Sequence, residues 1–172
     1  INSPESVLYD KSRFLYGLYF AKQSIREEKE AILVEGYTDV MSLYQAGVKN
    51  AVASSGTSLT EPQIALLKRH CDKLLVLFDG DAAGVKASLR GIGLLVQAGM
   101  HVRVLPLPPE HDPDSFIREH GAKGFREYTK AHAVDFLRFM VDTLADGRNL
   151  DDPNVQGEVL SATAEVLAYV AD

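Results

Sequence analysis

The feature that most limits the fold is an alternation between residues 31 and 107, in which short, continuous apolar runs are each followed by a stretch with helical spacing. Ala31-Ile32-Leu33-Val34 is one such run, apolar at every position, as expected of a strand covered on both faces. The next ten or so residues read as a helix that stops at Gly47, a natural C′ residue. Ala51-Val52-Ala53 is a second strand. Thr60-Glu61-Pro62-Gln63 combines a capping box with proline in the first turn and starts a helix running to about His70. Lys73 to Phe78 (KLLVLF) is a third strand. Val85, Leu89, Ile92 and Val96 fall at helical spacing, Gly99 closes that helix, and His101 to Leu107 is a fourth strand. Repeats of this kind build a parallel sheet flanked by helices, with sites just beyond the carboxyl ends of the strands.

The flanks differ in character. The first thirty residues hold a loop and an apolar-aromatic stretch, Phe14 to Ala21, which Ser12 is placed to cap as a short helix. The charge run Arg26 to Glu30 reads as a solvated helix end or linker. Beyond Pro108, Asp112-Pro113-Asp114 opens a helix ending near Gly121, and Phe125 to Ala131 and Val134 to Leu144 read as further helices. Residues 145–154 form a polar loop, and Val155 to Val170 a last helix. The expected organisation is a connecting segment and helix at 1–30, an α/β domain of about four strands at 31–122, and a helical appendage at 123–172 that begins a helical subdomain.

Composition removes several classes of function. With 172 residues, 46% of them hydrophobic, the chain has enough apolar material for a core and is not disordered. It has no apolar run long enough to span a membrane. A lone cysteine, Cys71, makes neither an internal disulfide nor a thiolate metal site, which points to a reducing, cytoplasmic setting. The opening Ile1-Asn2-Ser3-Pro4-Glu5 has no initiator Met or signal layout and reads as a piece of a longer protein. The five histidines (His70, His101, His111, His120 and His132) show no HxxH or HExxH spacing, so no zinc site is expected here. Ser54 and Ser55 lack the Gly-X-Ser-X-Gly elbow of a hydrolase. Against 18 basic side chains there are 24 acidic ones, a net charge of −6, which argues against an independent nucleic-acid binder. The surplus is either a solvated surface or a set of carboxylates gathered for a cation.

The strand ends favour the second reading. Strand one ends in Glu35-Gly36, with Asp39 one turn into the next helix; strand three ends in Asp79-Gly80-Asp81; strand four leads through prolines into Asp112-Pro113-Asp114. Taken singly, the Asp112 motif is a good helix start, and the Asp79 motif fits a turn and cap equally well. Taken together, six acids on one rim repel: two unit charges about 4 Å apart cost about 4 kcal/mol at an effective dielectric near 20. They equal the whole net charge of −6. Hard oxygen donors with no His or Cys set beside them suit Mg²⁺, with Mn²⁺ as a substitute, and such ions commonly serve phosphate chemistry.

The same residues carry a family resemblance. Glu35-Gly36-Tyr37-Thr38-Asp39-Val40, Ala53-Ser54-Ser55-Gly56-Thr57-Ser58-Leu59-Thr60, Phe78-Asp79-Gly80-Asp81-Ala82-Ala83-Gly84 and Asp112-Pro113-Asp114-Ser115-Phe116 together resemble the Toprim domain of bacterial replicative DNA primases. Asn2-Ser3-Pro4-Glu5, Lys11 and Leu15-Tyr16-Gly17-Leu18 are similar to the segment preceding that domain in the same enzymes. The resemblance runs from residue 1 to about 140. It implies a Rossmann-like Toprim fold and the catalytic core of a DNA-directed RNA polymerase that lays short RNA primers on single-stranded DNA from ribonucleoside triphosphates. It further implies that Glu35, Asp79 and Asp81 are catalytic and hold the metal, with Asp39, Asp112 and Asp114 completing the cluster, and that Lys11 meets a nucleotide phosphate. Zinc, and contact with the replicative helicase, would belong to domains absent from this chain. No membrane partner is implied. Two rivals share the acids: another Toprim enzyme, a nuclease or topoisomerase, and a noncatalytic metal- or nucleotide-binding module.

Overall fold

The structure, a computed structural model, describes residues 10–54, 59–78 and 93–170. A 3₁₀ turn at Lys11–Arg13 leads to helix α1 (Leu18–Glu28), strand β1 (Glu30–Val34), α2 (Tyr37–Gln45), β2 (Ala51–Ala53), α3 (Glu61–Lys68) and β3 (Lys73–Phe78). Residues 93–97 are helical (α4). Next come β4 (His101–Pro106), α5 (Pro113–His132), β5 (Val134–Asp135), α6 (Phe136–Ala145) and α7 (Pro153–Val170).

The strands lie in the order β2-β1-β3-β4-β5. The first four are parallel, with Leu33 beside both Val52 and Val76, and Phe78 beside Pro106. Side chains alternate between two cores, as the period of two requires. Ala31, Leu33, Val52, Leu74, Val76, Val102 and Val104 face one core, where α1, α3, α4 and α6 supply Ile25, Leu67, Leu95 and Phe136. Ile32, Val34, Ala51, Ala53, Leu75, Leu77 and Leu105 face the other, against Leu43 of α2 and Phe116 and Phe125 of α5. Fully burying a Leu or Val side chain contributes about 1.5–3 kcal/mol, so the two-sided core fixes the strands and hence the turns beyond their ends.

The connections reverse direction at one point. From β1 the chain crosses to β2 through α2 on one face, then returns through α3 on the opposite face to β3 on the far side of β1. The β1/β3 boundary is therefore the switch point of the sheet, the place where open α/β folds form a crevice at the carboxyl edge.

The flanks depart from the sequence expectation in three places. Ser12 does not cap a helix; its N–H and hydroxyl both donate to Asp10 Oδ1 at 2.9 and 2.6 Å, closing the 3₁₀ turn. Helix α1 starts only after Gly17, whose φ of 82° turns the chain; a Cβ there would sit 2.8 Å from Val40 Cγ1. Of the charge run, Arg26 to Glu28 form the exposed end of α1, as expected, but Glu30 opens β1, where its two carboxylate oxygens accept from Arg103 Nη2 at 2.9 and 3.0 Å. The third departure is a fifth strand. Val134 and Asp135 pair antiparallel with Val104 and Arg103 before α6 begins, so the segment after residue 123 returns to the sheet and adds Phe125, Phe136 and Met140 to the cores. Within α5 the helix breaks at Gly121 (φ 64°, ψ 179°). On the opposite edge, Tyr16 exchanges backbone hydrogen bonds with Ala53 at 2.9 and 3.1 Å. Among the described residues no helix is long and apolar enough to cross a membrane.

Candidate functional site at the carboxyl edge of the sheet

Glu35 follows the last residue of β1 and is exposed at the carboxyl edge, on the β1 side of the switch point. Asp79 and Asp81, whose motif continues from the end of β3, lie outside the described residues, as does the Ser55-Gly56-Thr57 turn beyond β2. What is described is that β3 runs beside β1 in parallel register as far as its end at Phe78.

Asp39 is buried at the third position of α2. Its Oδ2 accepts the Gly36 backbone N–H at 3.0 Å, and a Cβ on residue 36 would lie 2.8 Å from that same oxygen. Glycine at 36 therefore leaves the space into which the carboxylate folds back, satisfying one of the orphan N–H groups at the helix start. Ser42 lies one turn further along the same face of α2 and is also buried. Its hydroxyl donates a short hydrogen bond to Asp114 Oδ1, so the turn after β4 brings Asp114 against the face of α2 that carries Asp39. Arg118, one turn on in α5, holds Asp114 at 2.9 Å.

Asp112 is employed differently. It is the N-cap of α5, accepting from the Ser115 backbone N–H at 2.7 Å and the Ser115 hydroxyl at 2.6 Å. The Ser115 hydroxyl and then its amide hold the Asp112 carboxyl below its ordinary range. Lys11 sits in the 3₁₀ turn, fixed to the start of α3 through its carbonyl, which accepts Gln63 Nε2–H at 2.9 Å. The same amide group donates to the Phe14 carbonyl at 2.9 Å, and Gln63 Oε1 accepts the Thr60 N–H at 3.0 Å. Since α3 begins where the chain leaves the carboxyl end of β2, Lys11 is carried at that same edge.

The edge thus presents Lys11 by β2, Glu35 at β1, and Asp114 with Arg118 beyond β4, with Asp39 beneath. Carboxylate oxygens at a switch point fit a hard divalent cation, and the cations at either side fit phosphate oxygens. Sequence reasoning placed Gln63 in a capping box but missed its clamp on Lys11 and Phe14, 52 and 49 positions away; it also missed Ser42, whose partner Asp114 is 72 positions on, and Arg118, which pairs across a single helical turn. A groove of about 1080 Å³ beside α1 and α2 adjoins this site, sharing Ser42 and Arg118 with it, and is lined otherwise by Phe14, Tyr19, Phe20 and Tyr44 together with Lys22 and Arg26. It has no carboxylate among its described lining residues and is no place for a cation.

Comparison with known proteins identifies the fold and its family. Residues 32–117 match the family model described as Toprim-like, which is half of the chain. The DNA primase of Halalkalibacterium halodurans is 40% identical over 171 residues, covering 99% of this chain and 28% of that protein. A crystal structure of a DNA primase domain from Pseudomonas aeruginosa superposes with a TM-score of 0.87 at 35% identity, covering 99% of this chain and 54% of that one. A DnaG primase catalytic domain solved bound to single-stranded DNA gives 0.86 at 33% identity, covering 99% of this chain and 56% of that one. The chain spans little more than a quarter of the curated relative and about half of the solved domains. With its reversed sheet order, its acids at the carboxyl edge and these likenesses, the chain belongs to the Toprim-like family, in the form carried by bacterial DNA primases.

Proposed function

We propose that this chain supplies the metal-binding half of the catalytic core of a DNA primase, a DNA-directed RNA polymerase that makes short RNA primers on a single-stranded DNA template. The observation that carries this reading is the position of Glu35 at the β1 side of the switch point, next to the strand whose sequence continues as Asp79-Gly80-Asp81. In the reaction, the 3′-hydroxyl of the growing primer bonds to the α-phosphorus of a ribonucleoside triphosphate. The α–β anhydride bond breaks, pyrophosphate leaves and the hydroxyl proton passes to solvent. Glu35, Asp79 and Asp81 would hold Mg²⁺, or Mn²⁺ in its place, with Asp39, Asp112 and Asp114 adding negative charge around it. Such an ion, when bound, lowers the charge penalty at the transferring phosphoryl group.

The chain's own residues divide the remaining work. Lys11 would meet the triphosphate, oriented by the Gln63 clamp on its carbonyl. Arg118 pairs with the Asp114 carboxylate, whose same oxygen accepts from the Ser42 hydroxyl of α2. Gly36 keeps the Asp39 carboxylate folded against the backbone, so that the acids do not all crowd one point. Template grip, zinc binding and helicase contact would come from parts of a full-length primase outside these residues. The rival readings, phosphodiester cutting by another Toprim enzyme and a noncatalytic binding module, gain no support from the primase likenesses. The cytoplasm of a bacterium is the setting this function requires.

The test places Glu35→Gln and Asp79→Asn, separately, in a full-length primase carrying this chain. Each is expected to lower primer synthesis roughly a hundredfold or more while single-stranded DNA binding stays unchanged. Undiminished synthesis in both variants would overturn the assignment.

A further inference from the structure

We infer that His111, Glu119 and His120 form a second metal site, selective for a borderline transition ion such as Zn²⁺, Co²⁺ or Ni²⁺ and distinct from the carboxylate edge. The three residues converge although their spacing matches no metal-binding motif. One ligand atom from each lies within 4.8 Å of the others. His111 Nε2 is 3.0 Å from Glu119 Oε2, and His120 Nε2 is 3.8 Å from Glu119 Oε1.

The convergence has a local cause. His111 precedes the N-cap Asp112, and Phe116 is the fourth residue of α5. Residues at these two positions pack together across a helix start, as in a hydrophobic staple. Here the rings of His111 and Phe116 are 5.6 Å apart, edge to face. One turn later His120 packs against the same buried Phe116 ring at 4.4 Å, and the two imidazoles are 5.8 Å apart. Phe116 is therefore a wall that holds both histidines, and Glu119 reaches between them. Gly121, with its φ of 64°, ends the regular helix immediately after His120.

The donor set decides the ion. Two imidazoles and one carboxylate suit zinc, cobalt or nickel and are a poor match for magnesium, which prefers oxygen donors and retained water. A tetrahedral ion with bonds of about 2.1 Å wants ligand atoms about 3.4 Å apart. The observed spacings bracket that value, and the exposed side chains of Glu119 and His120 can close the remainder by rotation. His111 is held more firmly, packed against Phe116 with its Nε2 facing Glu119. With three protein ligands, the fourth position is open to solvent. A bound ion would clamp the turn after β4 to the second turn of α5, the same turn that presents Asp114.

The experiment titrates the untagged 172-residue chain with Zn²⁺ by calorimetry and with Co²⁺ by visible absorption, in excess Mg²⁺. The parent is expected to bind one Zn²⁺ per chain and to give the intense visible bands of low-coordinate Co²⁺. Glu119→Gln and His120→Ala are each expected to weaken Zn²⁺ binding about tenfold or more, while His101→Ala, on the exposed start of β4, leaves it unchanged. Circular dichroism without metal checks that each variant is folded; if His120→Ala is not, Glu119→Gln, on an exposed helix face, carries the result. Zn²⁺ affinity unaltered by these substitutions, or no Zn²⁺ binding by the parent, overturns the site.

Discussion

Gln63→Met tests whether the segment carrying Lys11 is held by a single buried amide. Gln63 has no solvent exposure, yet it makes three side-chain hydrogen bonds, to the carbonyls of Lys11 and Phe14 and from the Thr60 N–H. Methionine is close in size and flexible enough to fill the same space, so the substitution removes the hydrogen bonds with little change in packing. Each bond contributes a net 1 kcal/mol or so. Together they predict a loss of about 3 kcal/mol, and a fall in Tm of roughly 6–12 °C for a chain of this size. Urea unfolding followed by circular dichroism gives the free energy; an unchanged m-value confirms that the same structure is lost. Hydrogen exchange should separate a local effect from a global one. Protection at residues 11–16, including the Tyr16 N–H bonded to Ala53, is expected to fall more than protection in β3. A variant within about 0.5 kcal/mol of the parent, the range of ordinary surface changes, would refute the idea that Gln63 is the clamp.

Two further outcomes follow from other contacts. Asp112→Ala removes the N-cap of α5 and is expected to cost about 1 kcal/mol. Because the folded carboxyl is depressed below its ordinary 3.8, the parent's advantage should be fully present above that pH and disappear as acid protonates the folded carboxylate, which unfolding curves of both proteins between neutral and low pH would show. His70 is held below its ordinary 6.5 by burial, then by Arg26, Lys22 and Arg69. The unfolded chain therefore takes up a proton first on acidification, and stability should decline as pH falls through 6.5 and below, a slope that His70→Asn would reduce.

The parts of this fold that were legible in the sequence are those where burial on both faces leaves a continuous apolar run. Ala31–Val34, Ala51–Ala53, Lys73–Phe78 and the stretch from His101 are all strands, and the helix starting after Thr60 carries the capping box that its residues spell. The position of Glu35 beyond β1 followed from the same logic. Elements set by distant partners were not legible. Val134-Asp135 is too short to show a period of two, so its pairing with β4 was hidden inside what read as the start of a helix. Glu30 looked like the end of a charge run because Arg103, its partner, is 73 positions away. Asp112 was correctly seen as a good cap, whereas the attachment of Asp114 to Ser42 depends on how α2 and α5 pack. The histidine spacing matched no motif because a loop residue and a helix face were joined through Phe116 rather than by sequence interval.

The two outer strands of the parallel set are each covered by chain from outside the repeating unit: Tyr16 lies against β2, and Val134-Asp135 against β4. The family match, at residues 32–117, includes neither. A fragment trimmed to that match would leave two rows of amide and carbonyl groups bare and ready to recruit strands from other molecules. The smallest well-behaved unit is thus wider than the matched region. Its limits are set by edge protection, at about residue 10 on one side and beyond residue 135 on the other, rather than by where the chemistry stops.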